Sequence, residues 1–102
     1  MSLVIEHPDA EREFADILTY YETEAREGTA NRFAISLRET VAAIANDPMA
    51  RPEVDPTHRR ERIPRFPYDV IFRVLPDERI LIMAYHHHAR RPGYWRRRNL
   101  ES

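Results

Sequence analysis

The spacing of apolar residues changes partway along the chain and divides it into a helical part and a sheet part. Phe14, Ile17, Leu18, Tyr21 and Ala25 recur at intervals that line up as one stripe on a helix, predicted from Pro8 to about Glu27. Pro8 suits a first helical position, and Asp9, Glu11 and Glu13 put negative charge near the positive end of the helix dipole. Gly28 is the stop expected past that helix, and Thr29 has the hydroxyl to cap the next. Phe33, Leu37, Val41 and Ile44 make its stripe, which runs to about Ala45 before Asn46-Asp47-Pro48 ends it. So short a link makes the two helices antiparallel neighbours. Ahead of them, Leu3-Val4-Ile5 is a short apolar, largely β-branched run that predicts a first strand.

Prolines 48, 52 and 56 then interrupt a stretch without periodicity, predicting a stiff extended connector to about His58. Arg59-Arg60-Glu61-Arg62-Ile63 is mostly charged, as an edge strand needs to be to discourage pairing with other chains. Tyr68, Val70, Phe72 and Val74 alternate with Asp69, Ile71, Arg73 and Leu75, a strand with two unlike faces. Leu75-Pro76-Asp77-Glu78 carries Pro where a type I turn favours it. Beyond it, alternation puts Ile80, Ile82 and Ala84 on one face and Leu81, Met83 and Tyr85 on the other, apolar on both sides and therefore central. The expected fold is α+β in the order β-α-α-β-β-β, a helical hairpin packed on a mainly antiparallel sheet, with residues 1–102 as one domain. Met1-Ser2-Leu3 and Leu100-Glu101-Ser102 receive no functional role.

Composition narrows the class. No apolar run approaches the roughly 20 residues that cross a bilayer, and no charged start with an apolar core marks a signal peptide, so a cytoplasmic protein is expected. The chain has no cysteine, which excludes disulfides and thiolate chemistry. Charge is segregated: residues 1–57 hold 12 acids against 5 Arg, and residues 58–102 hold 5 acids against 11 Arg. Every one of the 16 basic residues is Arg, whose planar fork grips phosphate or carboxylate at two points.

The candidate chemistry lies at the C-terminal end. His86-His87-His88 would send His86 and His88 to one side of a strand and His87 to the other. Two imidazoles on one side could share a metal with a carboxylate, but no ligand spacing such as H-x-x-x-H supports that, and neither metal nor cofactor is expected. Arg90-Arg91-Pro92-Gly93-Tyr94-Trp95-Arg96-Arg97-Arg98 mixes five arginines with two aromatics, which suits phosphate contact with base stacking and equally an acidic protein surface. Pro92-Gly93 predicts a bend after which Trp95 packs back on the sheet, and the last arginines read as a solvated tail.

Together with the element order, the segments RFPYDVIFRV and HHHARRPGYW resemble the RelE/ParE superfamily, the toxins of bacterial type II toxin-antitoxin modules often labelled plasmid stabilisation proteins. Arg62 to Arg98 is most similar to the ParE-like branch. The resemblance implies one of two mechanisms. ParE-like members poison DNA gyrase without a reaction of their own, RelE-like members cut messenger RNA on the ribosome, and a cognate antitoxin wraps and silences either. A toxin-fold protein that only binds its antitoxin is a third possibility. For the ribonuclease, the resemblance implies His88, Tyr94, Arg60 and Arg62 as the catalytic set. Asp69 departs from that pattern, because it puts a carboxylate where phosphate charge should be neutralised. The reading therefore leans away from an enzyme and toward a partner-binding surface of Arg73, His86, His88, Arg90, Arg91, Tyr94, Trp95, Arg96 and Arg97.

Overall fold

The structure is a computed structural model that describes residues 2–99, so Met1 and Leu100-Glu101-Ser102 lie outside the described residues. Strand β1 (Val4–Glu6) leads into helices α1 (Pro8–Glu24) and α2 (Thr29–Asn46), followed by strands β2 (Arg59–Arg62), β3 (Tyr68–Val74) and β4 (Ile80–His87). The sheet order is β1-β4-β3-β2: β4 pairs antiparallel with β3 and parallel with β1, and β3 pairs antiparallel with β2. The expected α+β architecture is therefore present, with the charged β2 at an edge and β4 inside. No helix among the described residues is long and apolar enough to cross a membrane.

The helix stripes do what their periodicity predicts. Ile17, Phe33, Leu37 and Ile44 are buried against the β3 and β4 side chains Val70, Phe72, Ile80 and Ile82, with Phe14, Leu18, Tyr21 and Val41 packed around them. Helix α1 ends at Glu24, earlier than its stripe suggests, with Ala25 in extended backbone at the cap. Gly28 has φ +88°, in the left-handed region that favours glycine, and it caps α2 itself. Thr29 is already inside the helix and accepts a hydrogen bond from Arg32 at 2.9 Å instead of capping.

Two expectations fail in the sheet half. The connector is not simply extended: Pro48–Ala50 forms a 3-10 turn, and Glu53 bridges to Arg59 in antiparallel fashion. The second failure bears on the site. Ile71 pairs with Ala84 but Phe72 with Ile82, so Met83 is the extra residue of a β-bulge. That extra residue reverses the alternation beyond it. Met83 and Ala84 share the face away from the helices, and Tyr85 turns to the helix side, opposite to the simple reading.

The face away from the helices has its own apolar cluster, formed by Ile71, Leu75, Leu81, Met83, Ala84 and Trp95. Trp95 belongs to a C-terminal 3-10 turn, Tyr94–Arg97, entered through Gly93 at φ +100°. Its indole is 1% exposed. The C-terminal segment is thus folded onto the sheet, and both faces of β3 and β4 are covered.

Candidate functional site

The bulge at Met83 determines where the histidines point. Beyond it, His86 lies on the face away from the helices, 8% exposed and in contact with the rings of Tyr94 and Trp95. Its Nε2 is 2.8 Å from the Arg90 carbonyl, so the imidazole donates to the start of the C-terminal segment. His87 packs edge-on against Tyr68 on the helix side. His88 is partly exposed, with Nε2 3.0 Å from Asp69 Oδ1. The side-by-side placement of His86 and His88 agrees with strand geometry, but no three metal-binding groups converge among the described residues.

Asp69, Arg60, Arg62, His86 and His88 line one polar groove of about 510 Å³ beside the β2 edge. Three of the four groups of the ribonuclease set therefore come together there. Tyr94 does not line it. Two guanidinium groups lie over its ring, Arg90 at 3.4 Å and Arg98 at 4.9 Å from the ring centre. Its hydroxyl is buried, with Glu13 as the nearby acceptor. Burial, reinforced by the nearby Glu13 charge and opposed by Arg90 and Arg98, pushes the phenol up to about 12. Asp69 is buried in the lining of the same groove, and its Oδ1 lies 3.0 Å from His88 Nε2.

The arginines of the C-terminal segment divide into held and free. Arg90 and Arg98 both reach Glu13, at 3.3 and 2.9 Å, and Arg98 also donates to the Met83 carbonyl at 2.8 Å. Arg98 is therefore no solvated tail residue. Arg96 donates to Asp55 at 2.7 Å. Arg91 and Arg97 are exposed and have no carboxylate partner among the described residues. Arg73 is half-buried beneath this face, its Nε enclosed and unpaired among the described residues. Trp95, expected at the partner surface, is instead in the core, because the second sheet face needs a large apolar side chain to close it. His86 is likewise a packing and pinning group.

His58, at the end of the connector, is buried and bonded through Nδ1 to Asp55. Burial disfavours the Asp55 charge, but hydrogen bonds from Arg96, from the His58 side chain and from the Thr57 and His58 amides outweigh it and hold the carboxyl well below the usual carboxylate range. A lowered folded-state value stabilises the fold above the unfolded value near pH 4, and that stability is lost as pH falls through the folded value. The Tm gap between the parent protein and Asp55→Asn is therefore expected to narrow steadily below about pH 4. A gap independent of pH would contradict the assignment.

Fold and site together define a small α+β domain whose C-terminal segment presents arginine. Consistent with this, residues 4–92 match the family model described as the ParE toxin of the type II toxin-antitoxin system, parDE. The chain belongs to that family of toxins. Tyr94 to Arg98 lie beyond the matched span. Among solved structures, one described as the chromosomal ParDE TA system from P. aeruginosa superposes with a TM-score of 0.73 at 20% identity, over 85% of this chain and 96% of that one. At that identity the likeness is one of fold. No curated protein matches the chain.

Proposed function

We propose that this ParE-family toxin acts by binding DNA gyrase in the cytoplasm, not by cutting RNA, and that a cognate antitoxin neutralises it in a toxin-antitoxin hetero-oligomer. The observation that carries this reading is that the Tyr94 side chain is committed to Arg90 and Arg98, with its hydroxyl buried, while Asp69 sits among Arg60, Arg62 and His88 in the groove. General acid-base cleavage needs its acid, base and cations around one phosphate, and here the phenol ring is taken up by two arginines. What the C-terminal segment does offer is two exposed, unpaired cations, Arg91 and Arg97, on a well-anchored turn, an arrangement suited to an acidic protein surface.

For the antitoxin, a second surface has the right chemistry. A groove of about 800 Å³ between α2 and the β2-β3 connection is lined by Ile35 and Phe66, with Arg32, Arg62 and Arg65 outnumbering Glu39, and Glu61 paired to Arg51. Such a groove fits an amphipathic segment with acidic flanks. The test of the target is expression without antitoxin, scoring gyrase-linked DNA breaks and messenger RNA integrity in the same cells. Breaks with intact RNA are expected; cleaved RNA without breaks would overturn the reading.

A further inference from the structure

We infer that Glu13, on the opposite side of the sequence from the C-terminal cluster, is the positioning residue that sets the geometry of Arg91 and Arg97. The inference rests on the reading that these two arginines form the partner surface. Strand β1 covers β4 only from Ile80 to Ile82, which leaves the next backbone groups of β4 without a strand neighbour on that side. Side chains fill the vacancy. Glu13 Oε1 accepts the Tyr85 amide at 3.1 Å, and Arg98 donates to the carbonyl of the bulged Met83. Glu13 is thereby fixed to the sheet edge from α1, with its side chain 15% exposed.

Fixed in this way, one carboxylate holds two arginines. Oε1 accepts from Arg98 at 3.0 Å, and Oε2 accepts from Arg98 at 2.9 Å and from Arg90 at 3.3 Å. Arg90 and Arg98 are the sequence neighbours of Arg91 and Arg97. The carboxylate therefore closes the segment into a loop, drawing its two ends together, while both held guanidiniums pack on the Tyr94 ring. Further pins act along the loop: His86 on the Arg90 carbonyl, Trp95 in the apolar cluster, Asp55 on Arg96, and His7 Nε2 on the Asn99 carbonyl. Each free arginine consequently stands beside a held one. A partner that meets both at once must present two acidic groups at one fixed separation, and the ordering cost of the arginine backbone is met before binding.

The experiment uses the full chain with purified gyrase. Glu13→Gln keeps the shape of the side chain and removes its charge, and trypsin reports on the loop through cleavage at Arg96, Arg97 and Arg98. In the folded Glu13→Gln protein, cleavage there is expected to accelerate on the order of tenfold, and gyrase affinity to fall by about tenfold or more. Arg91→Ala supplies the readout that a merely structural role would not move. It should weaken binding strongly in the parent background and little in the Glu13→Gln background, because residues acting through one another are not additive. Unchanged trypsin sensitivity would overturn the clamp, and additive losses would overturn the positioning role. If the parent protein itself fails to bind gyrase, the functional reading falls, and the trypsin comparison alone still decides whether Glu13 holds the loop.

Discussion

Replacing Arg91 and Arg97 together by alanine is expected to abolish growth arrest while leaving the protein folded. Both side chains are exposed and make no ion pair with a carboxylate among the described residues, so their loss should cost the fold no more than about 0.5 kcal/mol each. At a partner surface the same groups are worth far more. A charge-assisted hydrogen bond contributes about 1.5–3 kcal/mol, and two of them correspond to a loss of roughly 10²- to 10⁴-fold in affinity. Arrest scored by colony formation, beside Tm of the purified variant, separates the two effects. Undiminished arrest by a folded double variant would remove these residues from the surface. Arg90 and Tyr94 are poorer choices for this test, because both belong to the Glu13 assembly and their replacement would disturb the whole loop.

Trp95→Ala is expected to have the largest effect on stability. The indole is almost fully buried among Ile71, Leu81, Met83 and Ala84, and its ring also meets His86 and Tyr94. Removing a side chain of that size leaves a cavity and typically costs about 3–5 kcal/mol. For a chain of this length that lowers Tm by more than about 10 °C. It would also release the segment that carries Arg91 and Arg97, so stability and toxicity should fall together. Equilibrium denaturation measures the first, and a loss below about 1 kcal/mol would show that Trp95 does not close the second sheet face.

Much of the fold was legible because its signals are local. The stripe of Phe14, Ile17, Leu18 and Tyr21, the stripe of Phe33, Leu37, Val41 and Ile44, and the alternation from Tyr68 to Val74 all ended up facing the same apolar layer. The turn was legible as well: the Glu78 amide donates to the Leu75 carbonyl at 2.8 Å. Met83 was not legible as a bulge, since a strand apolar on both sides offers no polar residue to reveal a reversal of faces. The Trp95 packing was visible in the Pro-Gly bend, but not that the residue leaves the surface altogether.

The candidate site was legible in composition and not in connectivity. A run rich in arginine reads as one uniform patch, whereas the fold separates held Arg90, Arg96 and Arg98 from free Arg91 and Arg97. Glu13 read as a favourable charge near a helix start. Its partners lie 72 to 85 positions away in sequence, at Tyr85, Arg90 and Arg98, and no spacing rule reaches that far. Asp69 did signal trouble for a ribonuclease, and its hydrogen bond to His88 gives that signal a structural form.

Whether the toxin grips gyrase, as proposed, or cuts RNA is decided by expressing the chain without its antitoxin and assaying both targets in one culture. Covalent gyrase-DNA complexes are trapped and counted while the 5′ ends of messenger RNA are mapped. Gyrase-linked breaks are expected to accumulate over intact transcripts, with both breaks and arrest lost in the Arg91→Ala, Arg97→Ala double variant. New transcript ends without gyrase-linked breaks, removed by His88→Ala but not by the double variant, would contradict the proposal.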